Sequence, residues 1–130
     1  MGSPADLRYT RDHEWVRLGT DGVAAVGITA YAQEQLGDIV YVELPKVGQR
    51  VAQHGAFGVV ESTKSVSDLM SPVTGNVTAV NDALVDAPQT VNEDPYGSGW
   101  IIKVAAADRA EIDALMSPDD YDRYLGELEH

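Results

Sequence analysis

Cysteine is absent from the sequence, and its absence excludes several kinds of site. Without a thiol the chain can form no disulfide, use no thiolate nucleophile and bind no zinc through sulfur. Any sulfur chemistry must therefore come from a group that is attached to the protein or bound by it.

Positive charge and long hydrophobic runs are also scarce. Nine Lys and Arg residues stand against 21 Asp and Glu residues, so the formal net charge is −12. A chain of this charge repels a phosphate backbone, and we expect no nucleic-acid partner. No apolar run approaches the roughly 20 residues of a membrane-spanning helix, and the N-terminus resembles neither a signal peptide nor a transit peptide. We therefore expect no membrane partner and a cytosolic location, or an organelle for a processed form.

Short β-prone runs separated by turn residues dominate the region from residue 15 to 104. The pattern predicts strands at 15–18, 23–28, 39–44, 56–61, 66–69, 76–80 and 100–104. One short helix is predicted at 30–36, with Thr29 as its cap and Gly37 as its end. The loop at 86–98 is rich in Pro and Gly and is predicted to be irregular. Many short strands at this spacing predict a barrel or sandwich.

The last quarter of the chain changes to a helical period. Asp108 followed by Glu111 resembles a capping box, and Ser117 before a proline predicts the start of a second helix. Residues at i, i+3, i+4 and i+7 of that helix form an apolar stripe that we expect to pack on the β core: Tyr121, Tyr124, Leu125 and Leu128. The length fits one domain, 1–130, in which 108–128 are helical and 1–8 are expected to be flexible.

Lys64 differs from the other two lysines in its setting. Lys46 lies beside a Pro–Gly turn and Lys103 lies within a predicted strand. Lys64 lies in the short polar turn 62–65 between two β-prone runs, which projects it from the tip of a hairpin. Most exposed turn lysines are ordinary surface charges, so this setting alone does not define a function.

Several separate stretches, in the same order along the chain, share one resemblance. They are residues 12–16, 27–29 with 31–38, 42–45, 60–65 with 67–68, 71–75, and 91–97 with 99–100. Together they lie within residues 9–125 and resemble the H-protein family of the glycine cleavage system. The resemblance implies a mainly β barrel-sandwich hybrid like that of lipoyl domains, with peripheral helices: a short one in the N-terminal half and others at the C-terminus.

The resemblance also implies a function. Lys64 would carry lipoic acid in amide linkage, attached by a lipoate ligase or an octanoyl transferase. The arm would shuttle an aminomethyl group from the decarboxylating P protein to the aminomethyltransferase T protein, and the L protein, dihydrolipoamide dehydrogenase, would reoxidise it. The chain would then be a carrier without catalytic activity of its own, in the bacterial cytoplasm or in the mitochondrial matrix. A sulfur-bearing cofactor agrees with the absence of cysteine.

Four acidic residues are the remaining candidates that the resemblance suggests. Glu61 matches an acidic residue that could help the attaching enzyme select Lys64, although it could equally be a solvated acid at a strand end. Glu14, with Asp12 and Asp68 as weaker candidates, would pair with the ammonium of the loaded arm. Such pairing in a partly dry cleft protects a group that water would otherwise hydrolyse. The alternative for Glu14 is an exposed acid.

Other kinds of carrier protein also use a lysine at a hairpin tip. A biotin acceptor would flank the lysine with methionines, whereas Thr63 and Ser65 flank Lys64. A lipoyl domain of a 2-oxoacid dehydrogenase would be shorter and would lack the stretch around Trp15. A relay that hands octanoyl or lipoyl groups to other enzymes would use the same Lys64, and the sequence leaves it as the alternative. The histidines lack metal-ligand spacing, and we expect no metal site.

Overall fold

The computed structural model describes residues 4–128. Within them the strands are β1 Arg8–Tyr9, β2 Glu14–Leu18, β3 Val23–Ile28, β4 Ile39–Glu43, β5 Arg50–Val51, β6 Ala56–Ser62, β7 Val66–Met70, β8 Gly75–Val80 and β9 Ile102–Ala106. The helices are α1 Ala30–Leu36, α2 Ala83–Asp86, α3 Thr90–Glu93, α4 Arg109–Asp113 and α5 Pro118–Leu128. None of the helices in this part of the chain is long and apolar enough to cross a membrane.

The strands form two antiparallel sheets. The larger sheet has six strands in the order β1-β2-β3-β9-β8-β5, and the smaller has three in the order β4-β6-β7. Buried residues of both sheets, among them Val26 and Val104 of the larger and Val42 and Val60 of the smaller, belong to one apolar cluster. The predicted fold class, a mainly β sandwich with peripheral helices, is confirmed.

Helix α5 packs on the outer side of β1 and β2 through a second cluster. Tyr121 is fully buried there beside Tyr9 and Trp15, and the Tyr9 and Tyr121 rings stack with centroids 4.6 Å apart. Tyr124 and Leu125 pack against the same cluster, so three members of the predicted apolar stripe lie where it requires. Leu128 does not, since 44% of its surface is exposed at the last described turn.

Two local predictions were wrong. The region 86–98 is not wholly irregular, because it contains helix α3 and the last residue of α2. The strand predicted from Trp100 begins only at Ile102. The reason is that the Trp100 carbonyl accepts a hydrogen bond of 2.7 Å from the Asn81 side-chain amide and so takes no part in the sheet.

The segment 1–8 is expected to be flexible, but the structure packs its last two residues against the rest of the protein. Leu7 is only 1% exposed, and Arg8 pairs with Val16 in the first ladder of the large sheet. Residues 1–3 lie outside the described residues. The segment is therefore tied to the core from Leu7 onward, because Leu7 fills the cluster beneath α5.

Glu111 does not complete a capping box. Asp108 caps α4 as predicted by accepting from the Ala110 N–H at 2.9 Å. The Glu111 carboxylate instead accepts from the Thr74 N–H and the Thr74 hydroxyl, each at 2.8 Å. It therefore connects the C-terminal segment to the turn before β8, a contact that the local pattern does not reveal.

Candidate functional site

Lys64 lies at the tip of the hairpin formed by β6 and β7, as the turn pattern predicts. The Ser62 N–H donates to the Ser65 carbonyl at 2.8 Å and closes the turn. The Ser62 hydroxyl oxygen accepts from the Ser65 N–H at 3.1 Å and from the Lys64 N–H at 3.3 Å. Ser62 thus satisfies these backbone groups locally, and Lys64 is exposed to solvent.

The corner between α1 and β4 supports this tip. The Thr63 N–H donates to the Asp38 carbonyl at 3.0 Å, which holds the turn against the corner. Gly37 has a φ of 83°, a conformation that favours glycine, and a Cβ there would lie 3.4 Å from Lys64 Cε. The glycine therefore makes the tight end of α1 possible and leaves room for the methylene chain of Lys64.

Asn92 of α3 holds the same corner from inside. Its amide nitrogen donates to the Gly37 carbonyl and to Gln33 Oε1, both at 2.9 Å. Its carbonyl oxygen accepts from the Ile39 N–H, also at 2.9 Å. One side chain thus fixes both the end of α1 and the start of β4, which places the support for the Lys64 turn.

A cleft of about 180 Å³ lies between α1 and the β6–β7 hairpin. Its walls come from β2 and the residues before it, from α1 and from β7, and it is lined by Asp12, His13, Glu14, Ile28, Tyr31, Ala32, Gln35, Leu36, Val60, Ser67, Asp68 and Leu69. All three acids predicted for the loaded arm, Glu14, Asp12 and Asp68, are therefore brought into one cleft. Its aliphatic walls are suited to a hydrocarbon arm.

A larger groove of about 440 Å³ adjoins the cleft at Asp12. Residues around Arg11, His54 and Met116 line it. Of the residues predicted from the sequence only Asp12 borders it, so the smaller cleft is the candidate site. Among residues 4–128 no three His, Asp or Glu side chains are arranged so that they could hold a metal ion.

Glu14 is buried in the cleft and is not the exposed acid of the alternative interpretation. Only 3% of its surface is exposed. Its Oε1 accepts from the Thr10 hydroxyl at 2.8 Å, and its Oε2 accepts from the Met70 N–H at 3.3 Å. Desolvation raises the pKa of Glu14 from 4.5 to about 8, although these hydrogen bonds act in the opposite direction. At neutral pH the carboxyl is therefore easily converted between its neutral and ionised forms.

Asp12 and Asp68 differ from Glu14 because both are exposed. Asp12 also raises the pKa of Glu14 through charge repulsion, as a minor contribution. The cleft thus has a buried acid in its interior and two solvated carboxylates at its mouth. This arrangement favours a cationic group, since each carboxylate adds attraction and none of the cleft residues is Lys or Arg.

Glu61 lies outside the cleft. On β6 it is paired with Val66 of β7 and with Tyr41 of β4, and it is half-buried between them. Tyr41 and Val66 are 45% and 65% exposed, so the acid lies in a partly apolar row three residues from Lys64. That position is compatible with recognition by an attaching enzyme.

Sequence reasoning missed two groups that shape the cleft. Thr10 is 4% exposed, and its hydroxyl, besides donating to Glu14, accepts from the N–H groups of Asp12 and Glu14. His13 lines the cleft with a φ of 68° and contacts α5, 108 residues further along the chain. The one available sign of Thr10 was a hydroxyl residue two positions before the Asp-His-Glu run, and the contact of His13 with α5 has no local signal.

Comparisons with known proteins show the family of the chain. The model of the family described as glycine cleavage H-protein matches residues 7–128. The chain belongs to the glycine cleavage H-protein family. It is 55% identical to the glycine cleavage system H protein of Chlorobaculum parvum over 98% of this chain and 100% of that one. It is 52% identical to that of Carboxydothermus hydrogenoformans over 95% of both chains.

A solved structure extends the similarity to the fold. The crystal structure of a glycine cleavage system H protein from Mycobacterium marinum has a TM-score of 0.88 and 43% identity. It is matched over 95% of this chain and 99% of that one. As a member of the H-protein family the chain has the role of lipoyl carrier in the glycine cleavage system, where it works together with the other components. The relay alternative is not favoured.

The buried acid gives the first testable prediction. Because the pKa of Glu14 is about 8 when folded and 4.5 as its reference value, the folded state holds the proton more tightly between these pH values. The free energy of unfolding must then fall as pH rises through this window. Glu14→Gln cannot titrate at this position. The free energy of unfolding of the wild type minus that of the variant should therefore fall by at least ~2 kcal/mol from pH 5 to pH 9.

Urea unfolding of both proteins at the two pH values measures this difference. Glu43→Gln, on an exposed position of β4, is the matched control and should keep the wild-type pH dependence. If the free energies of unfolding of the wild type and of Glu14→Gln changed in parallel with pH, burial would not raise the pKa of Glu14.

Proposed function

We propose that Lys64 is the residue that carries the lipoyl group and that the cleft around Glu14 receives the loaded end of the arm. The observation that carries the proposal is the arrangement of one exposed hairpin lysine beside a cleft whose interior acid is buried. When bound, the lipoyl dithiolane supplies the sulfur that takes an aminomethyl group from the P protein, delivers it to the T protein and is reoxidised by the L protein.

Lys64 suits attachment better than the other two lysines. Lys103 is half-buried on β9, and its ammonium lies 4.9 Å from the centre of the Trp100 ring. Lys46 is exposed but belongs to the turn before β5, outside the hairpin. An attaching enzyme must enclose the acceptor, and the tip with Thr63 and Ser65 offers small neighbours. Glu61 on the adjacent strand is the residue that it would recognise.

Glu14 supplies the charge that would hold the amine. An ammonium entering the cleft lowers the pKa of a neighbouring carboxyl, so Glu14 becomes ionised when the cation arrives. A carboxylate has about four acceptor positions, of which the Thr10 hydroxyl and the Met70 N–H use two, and the amine would donate to one of the others. A nitrogen kept protonated in this way has no lone pair with which to expel the thiolate, so the loaded group is protected from hydrolysis.

The chain's own part is binding and protection, and it is a carrier without catalytic activity of its own. Its partners would be the P, T and L proteins and a lipoate ligase or octanoyl transferase, in the bacterial cytoplasm. The bacterial relatives support this compartment. A net charge of −12 favours transient docking on partners with basic rims.

Attachment is tested by intact mass after incubation with lipoic acid, ATP and a lipoate ligase. The expected result is the gain of one lipoyl group, which peptide mapping places on Lys64. Lys64→Arg should gain nothing, while Lys46→Arg, which removes a lysine of similar exposure, should be modified at the wild-type rate. No gain, or a gain on Lys46 or Lys103, would refute the assignment.

Protection is tested by the rate at which the loaded protein spontaneously loses its aminomethyl group. Removing a charge-assisted hydrogen bond costs about 1.5–3 kcal/mol, so Glu14→Ala should lose the group roughly 10- to 100-fold faster while still accepting a lipoyl group. Glu14→Gln keeps the volume of the side chain but not its charge, and it should lose the group as fast as Glu14→Ala does. If Glu14→Gln retained the group as the wild type does, the acid would act by its size, and the ion-pair proposal would fail.

A further inference from the structure

A buried tyrosine of the C-terminal helix reaches the wall of the cleft. The Tyr121 hydroxyl lies 2.9 Å from His13 Nδ1 and 2.7 Å from Thr29 Oγ1. Tyr121 and Thr29 are both fully buried, and His13 is half-buried. Thr29 caps α1, which forms one wall of the cleft, and His13 precedes Glu14 on another. One hydroxyl therefore connects α5 to two walls of the site.

The direction of these hydrogen bonds follows from the donors present. The Ala32 N–H donates to Thr29 Oγ1 at 3.2 Å, which leaves the Thr29 hydroxyl proton for the Tyr121 oxygen. The Tyr121 hydroxyl then donates a hydrogen bond to His13 Nδ1, so the imidazole carries its own proton on Nε2. In the reverse direction Thr29 would accept twice and its buried proton would have no partner in these contacts, at a cost of about 1–3 kcal/mol.

The backbone holds His13 in the orientation that this chain of bonds requires. Its φ of 68° lies in the left-handed region, which is uncommon for a residue other than glycine. The Thr29 N–H donates to the His13 carbonyl at 2.9 Å, and the Tyr31 ring lies 4.6 Å from the imidazole. Tyr121 is itself held by stacking on Tyr9. The Nδ1 side of the ring is therefore held by Tyr121, and Nε2 is the ring nitrogen that Tyr121 does not contact.

We infer that Tyr121 is a positioning residue of the arm cleft, which fixes His13 as the neutral Nε2–H tautomer beside Glu14. The inference rests on the proposed function of the cleft. A neutral imidazole places no second cation next to the bound ammonium. A protonated imidazole would carry a proton on Nδ1 as well, which would reverse its bond with Tyr121 and repel the amine.

The electrostatic surroundings support the neutral form. Desolvation lowers the pKa of His13, and the charge of Asp12 opposes this effect without overcoming it. The titratable and charged groups around the ring are Asp12, Glu14, Tyr31 and Asp68 in the cleft, Tyr121 and Tyr124 on α5, and Arg11 over the Tyr124 ring. Of these only Arg11 is cationic, and its guanidinium lies 5.0 Å from the centre of the Tyr124 ring.

The test compares Tyr121→Phe with Tyr124→Phe, which removes a hydroxyl from a second tyrosine of α5 that also contacts His13. The Tyr124 hydroxyl makes only a long bond of 3.4 Å to the Arg11 carbonyl. In ¹⁵N-labelled, unmodified protein, the imidazole nitrogen shifts of His13 should show the Nε2–H tautomer in the wild type and in Tyr124→Phe. Tyr121→Phe should give a mixture of tautomers and a changed His13 pKa.

The second readout is the loss of the aminomethyl group from the loaded proteins. Tyr121→Phe should lose it about two- to tenfold faster than Tyr124→Phe, the range expected for one neutral hydrogen bond. An Nδ1–H tautomer in the wild type, or an unchanged tautomer in Tyr121→Phe, would overturn the inference, as would equal loss rates. The tautomer is measured without any arm, so this result stands whether or not Lys64 proves to be the attachment site.

Discussion

The burial of the Glu14 carboxyl is the constraint on which the site depends. An acid that is 3% exposed requires donors for its oxygens. The structure provides two of them, the Thr10 hydroxyl and the Met70 N–H. These donors bring the start of β2 and the end of β7 together around one side chain. The carboxyl still has its pKa raised to about 8, so its charge is not fully compensated until a cation enters.

This incomplete compensation suits a carrier. A permanently ionised acid would hold a cation in every state, and an acid neutralised by a resident Lys or Arg would not need one. A carboxyl that is neutral when the cleft is empty and ionised when the cleft is filled can bind its cargo and release it. The lysine that would carry the arm lies across the end of α1, where Gly37 leaves space for its methylenes and Asn92 fixes the corner beneath.

The local structure was largely predictable from the sequence. The boundaries of β3 and α1 were found because Thr29 and Gly37 supply the two ends of the helix, and the turn at Lys64 was found because short polar residues interrupt two β-prone runs. The contacts that give the cleft its chemistry were not predictable in this way. The burial of Glu14 and the bond between His13 and Tyr121 join residues 56 and 108 positions apart, and such contacts exist only after the sheets and α5 have assembled.

The most direct test of this account is the titration of the Glu14 side-chain carboxyl by ¹³C NMR in two states of the lipoylated protein. In the empty state the account predicts a pKa near 8, as desolvation requires. In the state loaded with the aminomethyl group the ammonium should lower that pKa clearly below its value in the empty state. An identical pKa in the two states, or a value near 4.5 in the empty protein, would contradict the claim that a buried acid binds the cargo through a change of its charge.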